Sequence, residues 1–174
     1  MVHTLQNDAD TKRFLEALVD TKISEFKLIC RGTDLEDIFD VSTPMPDIIL
    51  EDTGKNCYVI QYLQGTKYDL EELRRYYQQT VDDYYYHRSR SATDLPEVYI
   101  IFICNYDYFG LGLAMYYTED TSDGIEVVDG RHMVVLNSQY LVSNAEPEII
   151  ALLDRFRNLD NNRSVDTVWT GWEY

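Results

Sequence analysis

The chain has 174 residues and a mass of 20.4 kDa, the size of one domain. Hydrophobic residues make up 45% of it, enough to build a core and to exclude wholesale disorder. Fifteen Lys and Arg stand against 31 Asp and Glu, a net charge of −16; such a chain repels nucleic acid over most of its surface, which disfavours a simple basic-groove binder.

Asp8 or Asp10 is suited to cap a first helix, and Phe14, Leu15, Leu18 and Val19 recur at helical spacing, so residues 11–20 are predicted as a short amphipathic helix. Ile23 to Cys30 alternates in part and is predicted as a strand. Residues 31–45 carry turn formers and acids, the pattern of a surface connection. Asp47 to Leu50 and Cys57 to Leu63 are two strands around the turn Glu51-Asp-Thr-Gly-Lys55, a predicted β-hairpin. Asp69 caps a long helix to about Arg88, with Leu70, Leu73, Tyr77, Val81 and Tyr84 along one face. Val98 to Cys104 is a continuous apolar run, the signature of a buried central strand. Asn105 to Gly112 is a loop. Leu113 to Tyr117 and His132 to Leu136 are further strands, joined by the acidic stretch Glu119 to Asp129. Pro147 opens a terminal helix, and the residues from 159 onward, with Trp169, Trp172 and Tyr174, form a polar and aromatic tail. The order α-β-β-β-α-β-β-β-α points to an α/β fold with a mixed central β-sheet flanked by helices.

Three cysteines, Cys30, Cys57 and Cys104, each lie in an apolar run, as buried reduced thiols do. His3, His87 and His132 are far apart, so no zinc spacing is present. The chain contains no phosphate-binding glycine loop, dinucleotide fingerprint or hydrolase elbow. No apolar run approaches the roughly 20 residues of a membrane span, and Met1 to Asp10 is polar, so a cytoplasmic location is expected. Charge is uneven. Residues 45–90 hold six Lys and Arg against eight Asp and Glu, whereas residues 91–174 hold four against fourteen. The C-terminal half therefore suits a basic protein partner better than a nucleic acid.

Several segments, in order, carry a resemblance: Asp47-Ile-Ile-Leu-Glu-Asp-Thr-Gly-Lys55, Tyr58-Val-Ile-Gln61, Leu73-Arg-Arg-Tyr-Tyr-Gln-Gln-Thr-Val-Asp82, Leu95 to Leu113, and Asp129-Gly-Arg-His-Met-Val-Val-Leu-Asn-Ser138. Together they resemble the PD-(D/E)XK nuclease family transposases, the transposase/invertase group close to the Rpn recombination-promoting nucleases. The resemblance extends to about Arg157. It implies a restriction-endonuclease-like core over residues 1–158, with residues 159–174 as the tail. It also implies that an Asp opening the first hairpin strand and a Glu on the second hold Mg²⁺, and that a Lys or Gln two residues on orients the attacking water.

This chain departs from that pattern. Asp47 is in place, but the Glu position is Gln61 and the Lys/Gln position is Leu63. A neutral amide is a weak Mg²⁺ ligand, and an isobutyl group cannot polarise water. Two readings follow. In the first the nuclease site is degenerate, no cofactor is used, and the protein acts by binding a basic protein or nucleoprotein complex. An inhibitor of a nucleic-acid-processing effector, carried on a phage or mobile element and directed for instance at a CRISPR effector, is its most concrete form. In the second a Mg²⁺-dependent nuclease survives, with Glu16 of the first helix joining Asp47 as a metal ligand and Gln61 as a further candidate. Arg74, Arg75, Tyr76, Tyr84 and Tyr85 are the candidate binding residues on the long helix, set against the plainer reading of a solvated helix face. A homodimer through exposed tyrosines is a third possibility.

Overall fold

The fold was analysed in a computed structural model that describes residues 9–31, 45–65, 68–118, 121–122, 125–126 and 129–162. The expected connection over 32–44 and the Trp169, Trp172 and Tyr174 segment lie outside the described residues. Among the described residues three α-helices, α1 (Ala9–Val19), α2 (Leu70–Ser89) and α3 (Pro147–Asn162), and a 3-10 turn at Ala92–Asp94 accompany eight strands. The strands are β1 (Phe26–Arg31), β2 (Ile48–Asp52), β3 (Cys57–Leu63), β4 (Val98–Cys104), β5 (Met115–Thr118), β6 (Thr121–Ser122), β7 (Ile125–Glu126) and β8 (Arg131–Asn137). Six strands form one mixed sheet in the order β1-β2-β3-β4-β8-β5, and β6 with β7 makes a small separate hairpin.

The sheet is two-sided because its strands alternate. On one face Tyr58, Ile60, Ile101, Ile103, Val134 and Leu136 meet Phe14, Leu15 and Leu18 of α1 and Ile149, Leu153 and Phe156 of α3. On the other, Val59, Leu63, Ile100, Phe102 and Val135 meet Leu70, Leu73, Tyr77 and Val81 of α2. Strand β4 is parallel to both β3 and β8. All its residues but Tyr99 are fully buried, as the unbroken apolar run requires of a central parallel strand covered on both faces.

Local chemistry sets the element ends. Asp69 caps α2 by accepting the Glu71 and Glu72 N–H groups at 2.9 and 3.2 Å, a contact that contributes about 1 kcal/mol. Arg90 closes the helix in the left-handed conformation (φ 60°), donating its N–H to the Tyr86 carbonyl. In the β2–β3 turn, Asp52 is 8% exposed. Its carboxylate accepts the Asn56 N–H and side-chain amide at 2.9 and 2.8 Å and the Tyr58 hydroxyl at 2.9 Å. The Glu-Asp-Thr-Gly-Lys segment of the resemblance is therefore a hydrogen-bonded turn in this chain.

Four expectations need adjustment. Strand β1 opens at Phe26, because Ile23 is engaged through its N–H by Glu16. The acidic connection before β8 carries the β6–β7 pair. Helix α3 runs to Asn162, so residues 159–162 of the stretch read as a polar tail are helical. Finally, the α2 core stripe passes through Gln78 and Tyr85 rather than Tyr84. Gln78 is buried, and Tyr85 packs against the α2-face core while its hydroxyl donates to Glu51.

Candidate functional site

Strands β2 and β3 pair antiparallel with Ile48 opposite Ile60. One residue further out, the Asp47 N–H donates to the Ile60 carbonyl at 2.9 Å, so Asp47 stands across the hairpin from Gln61. The register thus juxtaposes the two positions that the sequence pattern singled out. Asp47 Oδ2 accepts the Tyr62 N–H at 2.6 Å and lies 3.4 Å from the Gln61 Nε2 donor. The Gln61 amide also donates to the Tyr62 carbonyl at 3.1 Å, and its Oε1 accepts the Tyr77 hydroxyl at 2.9 Å. Both ends of this 8%-exposed side chain are therefore committed. The Tyr62 carbonyl can only accept, which fixes the amide orientation: nitrogen toward Asp47, oxygen toward Tyr77.

The electrostatics follow from burial. Desolvation raises the Asp47 carboxyl to about 6, and the Tyr62 N–H offsets this only in part. Tyr77 is fully buried. Burial, then the nearby Asp47 charge, hold its hydroxyl firmly protonated and thus a donor. Leu63 shares the face of Gln61, is 4% exposed, and belongs to the apolar layer with Leu70 and Leu73 of α2. It is a packing residue that reaches no polar group.

Glu16 is not brought to Asp47. Its helix packs on the opposite face of the sheet. Its Oε1 accepts the Ile23 N–H at 3.0 Å and its Oε2 the Lys22 ammonium at 3.1 Å. The Ile23 bond, then Lys22, draw the carboxyl below the usual range. Glu16 thus ties down the turn after α1, which corrects its expected place as a metal ligand. Among the described residues no group of three or more His, Cys, Asp and Glu is arranged to hold a metal ion.

The helix candidates divide. Arg74 is paired with Glu71 at 3.0 Å, Arg75 is exposed and Tyr76 partly so. Tyr84 is half-buried and bonded by Arg88, whose guanidinium also sits 4.8 Å above its ring. Tyr85 is half-buried, its hydroxyl turned onto Glu51. The helical residue that reaches Gln61 is Tyr77, which sequence periodicity assigned to the core alone.

Two polar constellations escaped the sequence reading. Asp107 sits inside the loop after β4, accepting the Gly110 N–H at 3.0 Å, the Gly112 N–H at 2.6 Å and the Tyr116 hydroxyl at 2.7 Å. Burial pulls its carboxyl upward, but Tyr116 and the amides of Gly112, Gly110 and Phe109 outweigh it and hold the group below the usual range. His132 stacks on Tyr99 at 4.3 Å and is bonded to Tyr117 at 2.7 Å and Glu97 at 3.1 Å. Asp-x-x-Gly-x-Gly is the signal that marked the first; the second is formed across three strands and has no local signature. Cys57 and Cys104 are buried thiols outside any disulfide, and burial pushes Cys104 up to about 12, so it is unreactive. No helix among the described residues is long and apolar enough to cross a membrane.

No protein-family model matches the chain, and no curated protein or solved structure is detectably similar to it.

Proposed function

We propose that this protein is a catalytically degenerate relative of the PD-(D/E)XK nucleases, built on a restriction-endonuclease-like core, that acts by binding. The observation that carries the reading is the state of Gln61. It stands opposite Asp47, where the resemblance calls for a second carboxylate, and its amide nitrogen faces Asp47 while Tyr77 closes its oxygen. A hard divalent cation needs anionic or free carbonyl oxygens, and this arrangement offers one carboxylate beside a donor. The hairpin β2–β3, the crossing helix α2 and the parallel strand β4 are compatible with the core of that family.

The partner proposed is a basic protein or nucleoprotein complex. The −16 charge, concentrated after residue 90, favours encounter with cationic surfaces and disfavours bare nucleic acid. An effector that grips nucleic acid in a basic channel fits this chemistry, so inhibition of such a complex, including a CRISPR effector, is the proposed role. The test is a cleavage assay on single- and double-stranded DNA and RNA with Mg²⁺ or Mn²⁺, using Asp47→Ala as control. No cleavage by the wild type is expected. Cleavage that disappears in Asp47→Ala would overturn the proposal in favour of a surviving metal-dependent nuclease.

A further inference from the structure

Away from the Asp47 site, one cluster joins a carboxylate, an imidazole and a phenol. Tyr99 on β4 stands directly beside His132 on β8. Tyr117 on β5 pairs with Val134, two residues on from His132, so Tyr99, His132 and Tyr117 share one face of the sheet. The His132 ring stacks on Tyr99 at 4.3 Å with 12° between the planes. Tyr99 in turn stacks at 5.3 Å on the fully buried Tyr58, whose hydroxyl is held by Asp52. The imidazole is thus fixed in its plane by the rings behind it and at both nitrogens by hydrogen bonds.

Those bonds fix where the protons are. Glu97 Oε2 lies 3.1 Å from His132 Nε2, and an ionised carboxylate can only accept, so the neutral ring carries its proton on Nε2. Nδ1 is then a lone pair 2.7 Å from the Tyr117 hydroxyl, which donates to it. Carboxylate, imidazole and hydroxyl in this order and polarity make a base aimed at a nucleophile's proton, with an orienting group behind it. The cluster is open to solvent. Tyr117 is 40% exposed, and the side chains of His132 and Glu97 are 22% and 50% exposed. Arg131, next to His132 in sequence, is drawn instead to Asp82 of α2 at 3.9 Å and to Asp129 at 3.7 Å. An anionic phosphoryl donor would therefore meet the Glu97 carboxylate, whereas an uncharged acyl donor is not repelled.

We infer that Tyr117 is a nucleophile for acyl transfer with His132 as its general base, and that its substrate class is an uncharged activated ester or thioester. Tyr117 Oη bonds to the acyl carbon and its proton passes to His132 Nδ1. The alcohol or thiol leaves with that proton as its bond to the acyl carbon breaks. The products are an acyl ester on Tyr117 and the free alcohol or thiol. While the ring holds the proton, Glu97 keeps Nε2–H in place and faces the positive charge. The inference stands independently of the state of the Asp47 site.

Reaction of the full chain with 4-nitrophenyl acetate tests it, with the acetylated tyrosines located and timed by peptide mass spectrometry. Tyr86 is the internal reference, because its ring is as exposed (45%) and lies edge-on to His87. At pH 7.5 Tyr117 is expected to acetylate about tenfold faster than Tyr86 or more, a fraction of what general-base assistance supplies. Its rate levels off above neutral pH, whereas an unassisted phenol reacts faster until it ionises near pH ~10. His132→Gln can still accept the Tyr117 hydroxyl and donate to Glu97 but cannot take the proton, so it brings Tyr117 down to the rate of Tyr86. Circular dichroism checks that the variant is folded, and the wild-type comparison and pH profile need no variant. Tyr117 acetylated no faster than Tyr86 overturns the inference. So does a Tyr117 rate that keeps climbing with pH, or a folded His132→Gln chain that keeps the wild-type rate at Tyr117; the cluster is then a clasp between β4, β8 and β5 and nothing more.

Discussion

Replacing Asp47 by Asn keeps the shape of the side chain and its bond from the Tyr62 N–H, but removes a charge that the fold pays to bury. The folded carboxyl titrates at about 6 against an ordinary 3.8, with burial as the leading cause. The sign follows from proton counting. The folded state holds its proton to higher pH than the unfolded state, so the ionised carboxylate costs stability as pH rises from about 4 through 6. A shift of about two units corresponds to about 3 kcal/mol once both states are ionised. Asp47→Asn is therefore expected to be more stable than wild type by up to about 3 kcal/mol at pH 7.5, and by about half as much at pH 5. For a chain of this length that is a rise in Tm of roughly 6–12 °C at the higher pH. Urea denaturation of both proteins at the two pH values measures it. A variant no more stable than wild type at pH 7.5, or a gain independent of pH, refutes the reasoning. A confirmed gain makes Asp47 a residue kept at a cost to folding, as residues with a task outside folding are.

Gln61→Glu restores the missing carboxylate opposite Asp47. Without metal it is expected to lower stability at pH 7.5 by about 1–3 kcal/mol, from like charge and burial. Millimolar Mg²⁺ or Mn²⁺ should then raise its Tm by several degrees while leaving wild type unmoved; thermal melts with and without metal decide, and an unresponsive variant counts against the paired geometry. Asp107→Ala removes the acceptor of the Gly110 and Gly112 amides and the Tyr116 hydroxyl on a half-exposed loop, where water replaces part of it, and should cost about 1–2 kcal/mol at neutral pH. The folded carboxyl of Asp107 titrates below its unfolded value, so its contribution is present above the ordinary carboxylate range and fades as pH falls through the folded pKa. The gap between wild type and Asp107→Ala in urea midpoints should therefore close in acid, opposite in sign to the Asp47 effect.

The elements that could be read from sequence are those whose signals are local. Asp69 announced α2 because an N-cap acts within three residues. The β2–β3 hairpin was legible from its Gly-containing turn, and β4 from an apolar run that only a doubly covered strand tolerates. What escaped depends on partners far along the chain. Periodicity alone cannot separate Tyr84 from Tyr85, since both lie within one turn of Val81; Glu51, across the space between sheet and helix, decides it by accepting the Tyr85 hydroxyl. Glu16 had the right charge for a metal ligand, but the Ile23 N–H claims it first. At the candidate site, the Asp47–Gln61 juxtaposition followed from hairpin register. The Tyr77 bond that closes Gln61 required the docking of α2, which no pattern in one segment encodes.

The strand order also dictates a schedule. Strand β8 lies between β4 and β5, yet it is synthesised after both. Until Arg131–Asn137 emerges, the Val98–Cys104 strand has β3 on one side and a bare row of backbone donors and acceptors on the other, flanked by isoleucines and a phenylalanine. Strand β5 meanwhile has no neighbour in the sheet. A nascent chain paused, or a fragment cut, just before Arg131 would thus present an unguarded apolar strand edge, the kind of template on which chains pair with one another. The seven residues of β8 act as a latch. Their arrival closes the sheet, seats β5, and ends the interval in which this acidic chain is open to aggregation.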